Sequence, residues 1–230
     1  MESFGDFPPF SFMNKLSRIE QTALHAIAHK HQYAKSDYIF RPDQLNDSIY
    51  ILLEGRVKII RISPEGRELI QWFCMPGEIF GLSEDNQIPL RGLYAQTISS
   101  SKLLCVPKQG FNQFLLDHPN LALLIVKQLA SRLRTLGDML LNITSDNAES
   151  RFVKLIQRLS DCYGCKKSTG IQIDVHLTHQ EMADMIGVCR QTVTSMLGKL
   201  KREDILASSR NGIYIKLPEQ LDNWRTANGP

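Results

Sequence analysis

The stretch from Leu177 to Leu200, LTHQEMADMIGVCRQTVTSMLGKL, constrains the chain more than any other. Thr178 followed three residues later by Glu181 makes a capping box, in which hydroxyl and carboxylate satisfy backbone donors at a helix start. A helix is therefore predicted from His179. Met182, Ala183 and Ile186 give it a buried side, and Gly187 stands where a left-handed residue would end it. After a turn through Val188 and Cys189, Val193, Met196, Leu197 and Leu200 fall at i, i+3, i+4 and i+7, so a second helix buries that stripe. Gln191, Ser195, Gly198 and Arg202 then lie opposite it, and Arg190 sits in the first turn. From Gly187 to Arg202 the only charges are Arg190, Lys199, Lys201 and Arg202, all basic. Such a helix, held by its inner face on a second helix, fits the major groove of double-stranded DNA. Arg190 and Gln191 are placed to read bases. Thr178, His179, Thr192, Thr194 and Lys199 are placed around them, as phosphate or flanking contacts. The competing reading is an ordinary helical hairpin with a solvated face.

Gln180-Glu181, Gly187 and Arg190-Gln191-Thr192-Val193 resemble the helix-turn-helix of the cyclic-AMP receptor protein and fumarate-nitrate regulator superfamily of bacterial transcription factors. The usual run in that family is Arg-Glu-Thr-Val-x-Arg, whereas here Gln191 replaces the glutamate and Ser195 the second arginine. An amide favours adenine over the cytosine that a carboxylate would accept from. Ser195 lacks an arginine's reach, which relaxes one position. The resemblance implies a homodimeric regulator that reads a palindromic operator and activates through RNA polymerase, with repression at overlapping sites as an alternative.

Nothing in the composition opposes this. A chain of 230 residues can bury a real core and divide into two domains. No apolar run is long enough to cross a bilayer and no leader pattern opens the sequence, so a cytoplasmic protein without membrane contact is expected. The net charge is only +3, so the case for nucleic acid rests on local clustering, not on bulk charge.

From Tyr38 to Val106 the pattern changes to short apolar runs: 38–40, 49–53, 57–62, 69–74 and 102–106, punctuated by turn pairs. These predict strands of a β-roll or jelly roll. The segments Ser48–Val57 and Pro76–Gly81 resemble the cyclic-nucleotide-binding fold, so the likeness covers nearly the whole chain. In that fold a Phe-Gly-Glu step and an Arg-Ser-Ala step hold the ribose and the cyclic phosphate. Here the steps read Phe80-Gly81-Leu82 and Arg91-Gly92-Leu93, without the carboxylate and the hydroxyl. Two turn glycines of the family are replaced by Ser36 and Asp43, which suggests altered loops. Arg91 keeps an anion-binding group, and its fork suits a phosphate or a carboxylate equally. The alternative for Arg91 is an ion pair with Glu84 or Asp85. The chain resembles the cyanobacterial nitrogen regulators, which bind an organic acid, in its Phe-Gly-aliphatic step and in Arg132. The adenine-contacting positions of cyclic-AMP-binding relatives correspond to Leu136 and Gly137. The resemblance thus implies an effector other than cyclic AMP, held by Gly81, Leu82, Arg91, Gly92, Arg132 and Leu136.

A long helix is predicted from about Pro119 to Ile143. Leu129, Leu133, Leu136, Leu140 and Ile143 are spaced four, three, four and three, the seam of a two-stranded coiled coil. Leu124 and Met139 offer a second apolar side. Residues 145–150 read as a hinge, and the helix Arg151–Cys162 opens the next domain. Asn211-Gly212 marks a hairpin across Ile205–Leu217, a wing with Arg210 at its tip for a phosphate. At the other end, Met1–Phe12 reads as an irregular arm and Leu16–Lys30 as a helix. His25 and His29 are four apart on it, which is metal-ligand spacing, but a solvated polar face is the simpler account because no third ligand is near. The fold class is α+β: an effector-sensing β-roll over residues 1–118, a dimerisation helix over 119–145 and a winged helix-turn-helix over 146–230.

Five scattered cysteines are expected to be reduced. Cys162 and Cys165 form a Cys-x-x-Cys, placed at the end of a helix before a basic loop, not in a redox fold. Cys189 lies at the N-terminal edge of the recognition helix, where the dipole favours a thiolate. These cysteines carry the alternative function, a thiol-based redox regulator with an empty effector pocket. No catalytic set, metal site or cofactor pattern is present, so an enzyme is not expected.

Overall fold

The structure is a computed structural model and describes residues 11–64, 66, 68–82, 90–173, 177–209 and 212–227. It divides into two compact units, one holding the described residues up to Arg134 and the other those from Thr135 onward. The dividing point falls within a single long helix.

In the first unit, helix α1 (Arg18–Ile27) leads into strands β1 (His29–Tyr33), β2 (Tyr38–Phe40), β3 (Ser48–Glu54), β4 (Val57–Ile62), β5 (Glu68–Cys74), β6 (Ile79–Phe80), β7 (Tyr94–Thr97) and β8 (Ser101–Pro107). Helices α2 (Lys108–Asp117) and α3 (Pro119–Ser145) follow. The strands form two antiparallel sheets, ordered β1-β8-β3-β6 and β2-β7-β4-β5. This is the jelly roll expected from the alternating pattern. The first sheet is buried on both faces, which is why β3 and β8 read as nearly continuous apolar runs. Ile49, Ile51, Ile79, Leu104 and Val106 face the helices, joining Leu24, Phe111, Phe114, Leu121 and Ile125. Leu52, Phe80 and Leu103 face the other way, into a core between the sheets with Phe40, Val57, Ile59, Cys74, Leu93 and Ala95.

Several expectations need correction. The first helix is shorter than Leu16–Lys30, because Ser17 and Glu20 close a capping box (Ser17 N to Glu20 Oε2 2.6 Å, Glu20 N to Ser17 Oγ 3.3 Å) and the chain is extended again by Ala28. His25 and His29 therefore do not share a helix; His29 begins β1. That strand, like β6 and β7, was not legible. β1 is a polar edge strand whose only definition is its ladder with β8. Of the arm expected over Met1–Phe12, residues 1–10 lie outside the described residues; the Phe12 ring is fully buried, and Met13 N donates to Gly77 O at 3.2 Å as a 3-10 turn over Met13–Lys15 begins. Ser36 and Asp43, which stand where the family carries turn glycines, both hold the left-handed conformation that favours glycine, at φ 73° and 66°. Cross-strand bonds from Ser36 N to Thr97 O (2.9 Å) and Asp43 N to Arg91 O (3.0 Å) hold them there.

The second unit carries the rest of α3, then α4 (Ala148–Tyr163), β9 (Gly164–Lys167), β10 (Gly170–Ile173), α5 (His179–Ile186), α6 (Arg190–Arg202), β11 (Leu206–Ser209), β12 (Gly212–Ile215) and α7 (Pro218–Ala227). Its sheet runs β11-β12-β10-β9. The predicted hinge reduces to Asp146 and Asn147, since Asn147 Oδ1 caps α4 by accepting from Ser150 N at 2.8 Å. The basic loop expected after Cys162 is instead β9, paired with β10. Helix α4 buries Phe152, Val153, Leu155, Ile156 and Leu159 and packs on α5, α6 and α7. The wing is the β11–β12 hairpin, but Arg210 and Asn211 lie outside the described residues.

Candidate nucleic-acid interface and ligand site

Helices α5 and α6 form by the local rules that the sequence announces. Thr178 Oγ1 accepts from Glu181 N at 3.1 Å, and Glu181 Oε2 accepts from Thr178 N at 2.7 Å and from its hydroxyl at 2.9 Å. Gly187 ends α5 at φ 68°, ψ 40° with its N–H on Ala183 O. Val193, Met196, Leu197 and Leu200 are buried, which turns the opposite face of α6 outward. Arg190, Gln191, Thr194 and Ser195 are exposed on or beside that face, while Thr192 is half-buried.

Three expected phosphate contacts have partners of their own. The Thr178 hydroxyl belongs to the cap. The Lys199 ammonium pairs with Glu149 Oε1 of α4 at 2.6 Å, an intramolecular bond that ties α6 to α4. His179 Nδ1 lies 2.8 Å from Thr194 Oγ1, and that hydroxyl donates to Arg190 O at 3.0 Å. Because the hydroxyl hydrogen is engaged on Arg190 O, the imidazole donates from Nδ1. Nε2 is then an acceptor on the neutral ring and a donor only on the imidazolium. Burial, and after it the charges of Lys201 and Arg190, hold the His179 pKa below its ordinary value.

A phosphate at Nε2 would favour the imidazolium, so the pKa rises on binding. Above both values protonation contributes nothing. As the pH falls through the pKa of the complex the contribution grows, and it saturates below that of the free protein. Affinity for duplex DNA is therefore expected to rise several-fold between about pH 7.5 and pH 5.5. Anisotropy titrations should show a flatter pH profile for His179→Gln; an unchanged slope would place the proton elsewhere.

In the β-roll, Arg91 is a buried strut, 3% exposed. Its Nη1 donates to Gly81 O at 3.0 Å and its Nη2 to Ser48 O, while the guanidinium lies over Phe40 (4.4 Å) and Tyr50 (5.7 Å). Gly81 has φ 84°, and a Cβ there would sit 3.1 Å from Arg91 Nη1 and 3.3 Å from the Tyr50 ring, so glycine permits the approach. Tyr50 stacks on Phe80 at 5.5 Å, and burial pushes its hydroxyl up to about 12. Leu82 turns away from these rings to pack on the helix-side core, and Gly92 is exposed. Arg132 of α3 donates from Nη2 to Ile79 O at 3.0 Å and lies 5.0 Å over the Trp72 ring. Leu136, also on α3, is half-buried. Glu84 and Asp85 lie outside the described residues. Sequence reasoning missed Phe40, Tyr50 and Trp72, whose only signal was an aromatic in a strand pattern.

Along α3, Leu129, Leu133 and Leu140 are exposed in the single chain, as are Leu123 and Val126. The Ile143 and Met139 side chains lie outside the description. Cys189 occupies the N-cap of α6, exposed, with its sulfur 3.1 Å from Thr192 Oγ1; hydrogen bonding from that hydroxyl, and from backbone amides, lowers its thiol pKa. Cys162 is half-buried and Cys165 exposed.

A cyclic nucleotide-binding domain matches residues 30–118 and a Crp-like helix-turn-helix domain residues 150–224. The Global nitrogen regulator of Synechocystis sp. is 30% identical over 196 residues, covering 84% of this chain and 87% of that one. The chain belongs to the Crp/Fnr superfamily of transcription regulators. Within the Crp/Fnr superfamily it is also similar to the Anaerobic regulatory protein of Bacillus subtilis, 24% identical over 84% of this chain and 81% of that one. Among solved structures, FixK2 from Bradyrhizobium japonicum superposes with a TM-score of 0.75 at 21% identity, covering 86% of this chain and 97% of that one. A CooA mutant from Carboxydothermus hydrogenoformans gives 0.78 at 19% identity, covering 97% and 98%. At such identities the structures establish the Crp/Fnr fold, and the curated relatives are transcription regulators, not enzymes. No helix among the described residues is long and apolar enough to cross a membrane.

Proposed function

We propose that this Crp/Fnr protein is a cytoplasmic homodimeric activator that reads a palindromic operator, recruits RNA polymerase and responds to a small anion other than cyclic AMP. The outward face of α6 carries the reading. Arg190, Gln191 and Ser195 stand exposed on a helix whose opposite stripe is buried, so base-edge donors are presented on a rigid rod. Two such rods joined through α3 would meet half-sites about one helical turn apart. The effector class follows from the cassette. A ribose-holding carboxylate is replaced by Leu82, which packs into the core, whereas Arg91 and Arg132 place two guanidinium charges around Ile79–Gly81, Arg91 as a buried strut. Titrating cyclic AMP by calorimetry is expected to give no heat of binding up to millimolar ligand; micromolar affinity would overturn the reading of Leu82, Gly92 and Leu136.

One observation favours a second reading, a thiol-based redox regulator. The Cys189 thiol is exposed, acidified and set at the start of the DNA-facing helix. Measuring operator affinity with oxidant alone, on the wild type and on a Cys162, Cys165 and Cys189 triple serine variant, separates the two inputs.

A further inference from the structure

The second compact unit begins inside α3, at Thr135, so Leu136 and Leu140 of the proposed seam belong to the same body as the reading helix. Between them stands α4, which the chain enters after only Asp146 and Asn147. Its apolar face, Phe152, Val153, Leu155, Ile156 and Leu159, is turned to α5, α6 and α7. Roughly opposite that face, at i, i+3 and i+7, stand Arg151, Lys154 and Arg158. These three meet α3 through polar contacts. The Lys154 ammonium lies 2.6 Å from Asp146 Oδ2 and 2.6 Å from Asn142 Oδ1, and the charged side chains of this pair are only 24% and 16% exposed. Arg151 Nη1 donates to Asp146 O at 3.0 Å, and Arg158 stands near enough to Asp138 of α3 to feel its charge. At the far end of the path, Glu149 in the first turn of α4 holds Lys199 of α6 at 2.6 Å. Largely buried pairs are screened little and cost most when one partner is removed, so the Lys154 contact is the stiffer of the two links.

We infer that Lys154, seconded by Glu149, is a positioning residue that sets which spacing between half-sites the protein accepts. Base reading rests on Arg190 and Gln191, whereas spacing depends on the angle that α6 makes with the seam on α3. Two-fold symmetry makes any rotation of α6 against α3 count twice. One extra base pair moves a half-site by about 3.4 Å and turns it by about 35°. A rigid joint cannot follow that change, and a loosened one can. Lys154 is placed to supply the rigidity, because its two acceptors bracket the junction: Asn142 stands on the last turns of α3 and Asp146 in the two-residue connection. Glu149 then carries the constraint from α4 to α6. The inference rests on the proposed reading of the chain as a homodimer on a palindrome, and adds to it the residues that fix the distance between the two readers.

The test measures affinity by anisotropy on inverted repeats of the half-site that the wild type selects from a random pool, with the centre-to-centre spacing varied in steps of one base pair. The proteins are wild type, Lys154→Met, Glu149→Gln and the swapped pair Lys154→Asp with Asp146→Lys. The wild type is expected to lose about tenfold or more for one base pair added to or taken from its best spacing. Lys154→Met should cut that penalty to about threefold or less, and Glu149→Gln to a value between the two. Both should keep the base preference within each half-site. The swapped pair should restore the penalty, which a residue needed only for packing would not do. A folded Lys154→Met protein that keeps the tenfold penalty would overturn the inference, as would a folded swapped pair that fails to restore it. Should Lys154→Met not fold, Glu149→Gln decides, and an unchanged penalty there overturns the inference. If the wild type binds a single half-site as tightly as any repeat, the dimeric reading falls first and the inference with it; if the wild type has a best spacing that every variant keeps, only the inference falls.

Discussion

Replacing Leu133 and Leu140 together by aspartate is expected to give a folded monomer that binds its operator about a thousandfold more weakly than the wild type. In the single chain these side chains are 72% and 66% exposed, so they contribute little to either unit's core and their loss should not unfold it. Their burial across a two-fold seam would contribute about 1.5 to 3 kcal/mol per leucine. Aspartates facing their own copies would replace that gain with repulsion. Joining two half-site readers gives the second an effective concentration in the millimolar range, so uncoupling them forfeits about three decades of affinity. Analytical ultracentrifugation, melting curves and operator anisotropy measure the three parts separately. A double variant that still sediments as a dimer would reject the Leu129 to Ile143 seam as the joint.

The same seam shows how far local rules reach. Its heptad spacing was legible from residues recurring at three and four, and in the single chain Leu129, Leu133 and Leu140 are exposed together with Val126, three residues before Leu129. Helix α5 was legible to the residue for a related reason: Thr178, Glu181 and Gly187 act within one turn of where they stand. Strand β1 was not, since His29 to Tyr33 carries no apolar alternation and exists through pairing with β8, more than sixty residues away. The left-handed turns at Ser36 and Asp43 were hidden likewise, being held by carbonyls of Thr97 and Arg91.

In the candidate ligand site the sequence identified donors but not their surroundings. Arg91 and Arg132 were named as cations, yet only three-dimensional contact shows one braced by Phe40, Tyr50 and two carbonyls, and the other spanning the sheet edges. Lys199 was legible as a cation, but not its ion pair with Glu149, which lies fifty residues back on α4.

Arg190 carries the second large effect. It stands in the first turn of α6, exposed, one residue after the N-cap. Its guanidinium is the donor fork best matched to guanine O6 and N7 in the major groove. Truncation to alanine should leave the helix intact. The backbone carbonyl that holds Thr194, and through it His179, remains, and alanine favours the helix. The loss is then confined to recognition: about 1 to 3 kcal/mol, or roughly 5- to 150-fold, at one base pair of each half-site, with preference relaxed at that position alone. Gln191→Glu should act at a different pair, exchanging adenine for cytosine, because a carboxylate accepts from the cytosine amino group and cannot donate to adenine N7. Binding across a randomised half-site reads both. If Arg190→Ala lowered affinity for every sequence equally, Arg190 would be a phosphate contact, and the rod would be docked in another register.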